Sequence, residues 1–321
     1  MTGVQTCALP ICYARLIRDD NINRVVTSGF AELSVPLVSA ANEMPFVKSL
    51  TLSLAARADY YGAYGTKVNP KYGFTWEPVE SVSFHASYGT SFAAPNLGLI
   101  TSPFSVPQPN VNQAGVTILT GPYAGERLGT IKQLNISNGH VPGTPELQPE
   151  EGKTYSYGVD FIPVGNFLEG LRVGATYYNV EYTNTIFKPQ IGDILNNPDF
   201  KDHFILHPTQ AQVDAALKAY PTQTPVDYSF DLLYDAFAIN IGSRILSGID
   251  LDIAYQINAG DYGRFNFAVN GNRQLKYNQR LSEKGPYTKQ IGTSFGNQAA
   301  AHWKTRYQAG WEKGNLSLNV F

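Results

Sequence analysis

Cysteine is all but missing from this chain. Both copies, Cys7 and Cys12, fall at the extreme amino end, and none follows. That excludes a disulfide framework, a cysteine-based zinc cage or a catalytic thiol from the body of the protein. Charge is also scarce. Charged residues make up 16% of the chain, against about a quarter in soluble proteins. The 24 Lys and Arg nearly balance the 26 Asp and Glu, for a net charge of −2. No nucleic-acid footprint exists at that balance. Long apolar runs are missing too. No stretch approaches the roughly 18 residues that suggest a membrane helix, and mean hydropathy is −0.20. A glycine-rich phosphate loop is likewise absent.

What the chain does have is apolar/polar alternation. In Ser49–Tyr60, Leu50, Leu52, Leu54, Ala56, Ala58 and Tyr60 fall on one face, and Ser49, Thr51, Ser53, Arg57 and Asp59 on the other. Side chains alternate across a strand, so this is a strand with one apolar and one wet face. Val82, Phe84, Ala86 and Tyr88 repeat it against Ser83, His85 and Ser87. Leu171, Val173, Ala175 and Tyr177 repeat it against Arg172 and Thr176. Ile249, Leu251, Ile253 and Tyr255 do so against Asp250 and Asp252.

A soluble β-sandwich alternates as well, with its apolar faces forming the core. Length separates the two architectures. Sandwich strands run about five or six residues, whereas a tilted transmembrane strand needs about 9–11 in the hydrocarbon alone. Phe46–Tyr64, Phe167–Ile186 and Asp235–Asn258 each read as one extended segment. These lengths predict an all-β, antiparallel, up-and-down transmembrane barrel, apolar toward lipid and polar toward a water-filled lumen. The lumen-facing candidates are then Arg57, Asp59, His85, Arg172, Asp250 and Asp252. Aromatic residues near strand ends, among them Tyr60, Tyr72, Trp76, Tyr182, Trp303, Tyr307 and Trp311, suit interfacial girdles, though they are also good strand formers.

Connections are short at one end and long at the other. Ala40–Pro45, Glu77–Glu80, Pro163–Asn166, Ala259–Tyr262 and Lys313–Asn315 are the short ones. Ala93–Glu151, Phe187–Asp227 and Ser282–Gln298 are long, polar and loop-like, and Thr66–Pro70 is a short turn on that same side. Pro208–Tyr220 carries one helical pattern inside the second long loop. The reading yields about eleven strands, part of a larger barrel of about 22. Loops on a rigid scaffold commonly carry recognition, so Phe104, Tyr123, Arg127, Phe187, Phe200, Phe204 and Tyr220 are the ligand-binding candidates. Met1–Cys12 resembles nothing around it and reads as a non-native segment fused to a truncated frame, leaving 13–321 as the partial barrel.

No motif for catalysis stands up. Gly292–Gly296 fits G-x-S-x-G, but a nucleophile elbow needs a strand before and a helix after it, and this one sits in a polar loop. His203 and His207 have helical metal-ligand spacing near Asp199 and Asp202. Pro208 disfavours helical geometry at His207, which reads against a metal site. The chain is expected to be no enzyme and to carry no metal or cofactor.

Three blocks carry a family resemblance. They are Phe30–Leu33 with Val35–Leu37; Arg57–Tyr60 followed by Gly65, Asn69–Lys71, Trp76 and Pro78; and Ala86–Pro95. Leu147, Pro149–Glu150, Gly158, Asp160, Gly170–Ile186, Gly248–Tyr255 and His302–Lys304 continue in order. In this order they resemble the carboxy-terminal barrel of TonB-dependent outer-membrane receptors, over nearly everything after Ala14. Ala93 departs from the family's usual Arg. The resemblance implies residence in outer-membrane lipid and capture of a scarce, bulky extracellular ligand: a ferric siderophore, a glycan or another nutrient. It further implies import driven by the TonB energy-transducing protein, acting through a plug domain and an energy-coupling box. Neither element is found in this sequence, and the final barrel strand is expected to lie outside it too. A passive porin and a secreted, soluble β-rich binding protein are the alternatives.

Overall fold

The computed structural model describes residues 23–99, 104–118, 124–137, 147–165, 168–220, 222, 229–281, 285–292, 294–295 and 298–321. The segment Met1–Cys12 and the candidate Tyr123 lie outside the described residues. The strands are, in chain order, β1 (Thr27–Val38), β2 (Ser49–Tyr61), β3 (Gly65–Val79), β4 (Val82–Ala93), β5 (Phe104–Thr117), β6 (Arg127–Ser137), β7 (Glu150–Phe161), β8 (Leu171–Phe187), β9 (Phe204–Leu206), β10 (Leu232–Ala236), β11 (Ile239–Asn258), β12 (Arg264–Arg280), β13 (Thr288–Lys289), β14 (Ser294–Phe295), β15 (Gln298–Ala299), β16 (Trp303–Lys313) and β17 (Leu316–Val320). Among the described residues two α-helices, α1 (Ile191–Asn196) and α2 (Gln210–Ala219), accompany them.

The chain divides into two units. One comprises 24–94, 148–186 and 240–321. It is a wall of long strands in the order β1-β2-β3-β4-β7-β8-β11-β12-β16-β17, with β13 added to β12. Neighbours pair antiparallel, as in β2 on β3 and β12 on β16. Lengths of 12 to 20 residues from β1 to β12 in this wall fit strands that cross a bilayer at a tilt. The wall has almost no buried side chains of its own; its apolar residues are largely exposed.

The other unit is built from 95–147 and 187–239. It holds a four-stranded sheet in the order β5-β6-β10-β9. β5 pairs antiparallel with β6, β6 runs parallel to β10, and β10 pairs antiparallel with β9. Leu134, Ile136, Val213, Phe230, Leu233 and Phe237 form a core there, with Ala216, Leu217 and Tyr220 packed against it. The helix α2 buries Val213 against this core, and its start is held by a Thr209–Gln212 capping box. α1 opens on a Gln190–Asp193 box and buries Ile194 and Leu195.

Three local expectations differ from this outcome. First, 93–151 and 187–227 are not plain loops: segments from both combine into one sheet and one core. The prolines and asparagines of β5 (FSVPQPNVNQAGVT) read as turn formers, yet among the described residues β5 pairs only with β6, and an edge strand tolerates missing donors. Second, the single run Asp235–Asn258 is broken. β10 ends at Ala236, buried Phe237 and Ala238 intervene, and β11 begins at Ile239. Third, Thr66–Pro70 is strand. The reversal lies at Gly62–Tyr64, and Gly65 takes φ +67°, which a side chain would resist. Pro70 pairs with Ala56 inside the ladder.

Candidate functional site

Cross-strand partners share a face of a sheet, as do residues two apart along a strand. Asp59 pairs with Ser28 and Lys67, and Arg57 with Asn69. Thr75 pairs with His85, His85 with Gly158, and Gly158 with Thr176, four residues beyond Arg172 and so on the same face. Across the β8–β11 seam, Asn272 Nδ2 donates to both Tyr178 Oη (3.0 Å) and Asp250 Oδ1 (2.7 Å). Asp252 stands opposite Asn270, whose Nδ2 donates to Asp252 Oδ1 at 2.5 Å. Arg57, Asp59, His85, Arg172, Asp250 and Asp252 therefore lie on one face.

That face is a web of polar side chains. His85 Nδ1 is 3.0 Å from Asp160 Oδ2, and its Nε2 is 3.1 Å from Thr176 Oγ1. Ser87 and Ser156 hydroxyls meet at 2.9 Å. Arg57 Nε donates to Asp59 at 2.9 Å, and Ser28 also donates to that carboxylate. Asp160, Thr176, Tyr178, Asn270 and Asn272 were not among the lumen-facing candidates. The signal was there, since each sits at the polar phase of its strand, but only the register shows that they meet.

The opposite face is apolar and bare. Leu33, Leu54, Tyr72, Tyr88 and Tyr155 stand in one cross-strand row, and Ile253, Val269 and Tyr307 in another. Leu33, Leu54, Tyr72, Tyr88, Tyr155, Ile253 and Tyr307 are all exposed. Tyr155 and Tyr157 both pack on Tyr177, with ring centroids 6.2 and 5.1 Å away. At the short-turn end, Trp76 Nε1 donates to the Phe46 carbonyl at 3.1 Å and Trp311 Nε1 to the Tyr262 carbonyl at 2.7 Å. Each indole thus caps a turn while its ring stays on the apolar face, the disposition of an interfacial girdle residue.

In the second unit the candidates separate. Phe200 is fully buried, Phe204 is buried on β9, and Tyr220 packs edge-on against Phe237. These three serve the core of that unit, because a folded unit this small uses its large aromatics to exclude water. Arg127 is exposed at the start of β6, Phe187 is half-buried at the end of β8, and Phe104 opens β5. His203 Nδ1 lies 2.7 Å from Asp235 Oδ1, and this hydrogen bond holds the imidazole above its ordinary value against the opposing effect of burial. His207 Nε2 lies 3.3 Å from Glu126 Oε1. The two histidines thus turn to different carboxylates, and among the described residues no group of three His, Cys, Asp or Glu could hold a metal. Burial pushes the Tyr234 hydroxyl up to about 12 and lowers the Lys188 ammonium. Ser294 of the G-x-S-x-G match lies in a two-residue strand paired with β15, not at a strand-to-helix turn.

Long antiparallel strands, apolar on one face and polar on the other, with short reversals at one end, define part of a transmembrane β-barrel. Residues 13–320 match the family described as TonB dependent receptor-like, beta-barrel. The chain belongs to that family. Among solved structures it resembles a mutant of the ferric enterobactin receptor PfeA of Pseudomonas aeruginosa, with 16% identity and a TM-score of 0.53, covering 92% of this chain and 31% of that one. It resembles the siderophore receptor PirA of Acinetobacter baumannii at 11% identity and a TM-score of 0.53, covering 92% and 32%. At such identities the likeness is one of fold. The chain spans about a third of the length of those receptors, at 31% and 32%. No curated protein matches it.

Proposed function

We propose that this chain is part of the wall, and the outer recognition unit, of an outer-membrane transporter. It takes up a scarce, bulky ligand and draws on an inner-membrane TonB complex for energy. One observation carries the reading. Ten strands in register present a continuous exposed apolar face, backed by a face whose polar side chains satisfy one another. In water such an apolar face would be an aggregation surface far beyond what a soluble monomer exposes; in lipid it is the ordinary exterior of a barrel.

On this reading Arg57, Asp59, His85, Arg172, Asp250 and Asp252 face the lumen. The unit built from 95–147 and 187–239 meets the ligand, with Arg127, Phe187 and Phe104 as the remaining contacts. Ferric siderophores are the first ligand class to try, since enterobactin is named for relatives of the same fold; glycans and other nutrients follow. The test uses the full-length protein in its host outer membrane. It should fractionate with outer membranes and migrate as a heat-modifiable barrel. Uptake of ferric catecholates, then of labelled glycans, should vanish when the energy-transducing partner is deleted. Uptake that survives that deletion would identify a passive porin. A protein that stays monodisperse in buffer without detergent would identify a soluble binder.

A further inference from the structure

We infer that the outward face of β12, at its long-connection end, is a binding site for a multiply phosphorylated lipid headgroup of the outer leaflet. This rests on the outer-membrane reading above, which turns that end of the wall away from the cell.

The register fixes where the hydrocarbon stops. Trp303 and Trp311 both lie on the apolar phase of β16, and the stretch they bracket has the length of a tilted crossing, about 9–11 residues. Trp311 marks the short-turn boundary and Trp303 the far one. Arg273 is the cross-strand partner of both Trp303 and Ile249, so it stands on the outward face at that far boundary. Past a register shift at Ser247/Gly248, Lys276 pairs with Ser247 and Arg280 with Ser243, both on the Ile249 phase of β11. Lys289 on β13 pairs with Asn278, which lies between Lys276 and Arg280. Arg273, Lys276, Arg280 and Lys289 therefore gather on the lipid-facing phase, just beyond the apolar band.

No acid answers these cations. β12 and β13 contain neither Asp nor Glu, and the outward neighbours Ser243, Ser247 and Thr305 are uncharged. Among the described residues none of the cations has an ion-pair partner. Other parts of the wall differ. Lys153 stands opposite Glu181 in register on β7 and β8. At the short-turn end Lys48 pairs with Glu80 and Arg264 with Glu312. The outer stretch of β1–β3 presents Ala31, Ala58, Tyr60 and Val68 on its outward phase. Cations that merely reach for any headgroup region would recur from strand to strand; this cluster is confined to β12 and β13.

The arginines are set for phosphate. The Arg273 guanidinium lies over the Trp303 ring, 5.3 Å from its centroid, and Arg280 lies over Tyr287 at 5.1 Å. Arg280 Nε also donates to Ser243 Oγ at 3.1 Å. A stacked guanidinium spends its flat face and keeps N–H edges free, and those edges match phosphate oxygens two at a time. Lys276 and Lys289 are exposed and supply point charges beside them. A single phosphate cannot neutralise the whole cluster; a headgroup with two or more can. The occupant is a lipid rather than a free anion because the same face continues into hydrocarbon. Ile253, Val269 and Tyr307 lie on the outward phase below Arg273, where acyl chains would run.

The test titrates the full-length protein, purified in mild detergent, with diphosphoryl lipid A, monophosphoryl lipid A and phosphatidylglycerol. Native mass spectrometry counts the lipid bound. R273Q/K276Q removes two cations from the cluster. K304Q/R306Q removes two from the polar face of the adjacent strand, where Lys304 and Arg306 pair with Asn272 and Asn270. Heat-modifiable migration verifies folding of each variant. The unaltered protein should bind the diphosphoryl lipid most tightly. R273Q/K276Q should lose about thirtyfold in affinity for it, the loss expected for two surface cations facing anionic headgroups, and K304Q/R306Q should lose nothing. Equal binding by R273Q/K276Q and the unaltered protein, an equal loss in K304Q/R306Q, indifference to the second phosphate, or displacement by inorganic phosphate would each overturn the site and leave the transporter reading intact. A full-length protein that never migrates as a heat-modifiable barrel would instead sink that reading.

Discussion

The wall and the second unit use the same apolar residues to opposite ends. Leu318 on β17 is 62% exposed and Ile253 on β11 is 42% exposed, whereas Leu134 on β6 and Ile194 on α1 are completely buried. In the second unit, apolar side chains leave water by packing on one another around a shared core. The wall's apolar side chains point away from its polar face and stay largely exposed, the arrangement of a barrel whose exterior meets lipid. The residue type says only that a side chain shuns water; the medium around each unit decides where it goes.

The largest expected effect falls on the second unit. Phe200→Ala removes a fully buried ring and should cost about 3–5 kcal/mol of that unit's stability. Limited proteolysis should then cut within 95–147 and 187–239 while heat-modifiable migration of the barrel persists. If barrel assembly is lost as well, the two units are not energetically separate. Next comes the lipid face: Ile253→Arg should cost about 2–4 kcal/mol, the penalty for a cation near the middle of the bilayer. Denaturant titration of the protein refolded into lipid vesicles reads it. A cost near zero would mean that this face never meets hydrocarbon.

A smaller effect is expected at the girdle. Trp311→Phe keeps the ring but removes the N–H that caps the Tyr262 carbonyl, at a cost of about 0.5–1.5 kcal/mol in the same titration. The smallest effect depends on pH. Hydrogen bonding to Asp235 raises His203 above its reference value of 6.5, so its stabilising contribution is fully present below that value. It is lost as pH rises through the raised folded value. Protease resistance of the second unit should therefore be greater at mildly acidic than at alkaline pH, and His203→Gln should flatten that dependence. An unchanged pH profile in the variant would assign the effect to another group.

Much of the wall was legible because its period is short and its signal repeats. Leu171–Tyr177 and Ile249–Tyr255 alternate so regularly that face and phase follow residue by residue, and α2 was visible from Ala211, Val213, Ala216 and Leu217. The second unit was not legible, because its defining contact joins distant segments. Gln133–Ser137 pairs in parallel with Leu232–Ala236, nearly a hundred residues away, and no local pattern announces a pairing of that kind. Phe200 and Phe204 read as exposed loop aromatics for the same reason: without the sheet they pack on, nothing distinguishes a core ring from a binding ring. Thr66–Pro70 read as the turn because Asn-Pro is a turn-forming pair, yet the reversal lies just before it, at Gly62–Tyr64, with Gly65 following at positive φ.

The sequence by itself determined which side of each long strand is apolar, because a two-residue period needs only neighbours along the chain. Only the tertiary structure decided which polar residues touch, how His85, Asp160 and Thr176 come to share one cluster, and that two separate insertions close around a single core. Those outcomes depend on register between strands far apart in the chain, and register is set by the sum of many weak cross-strand contacts that no single segment contains.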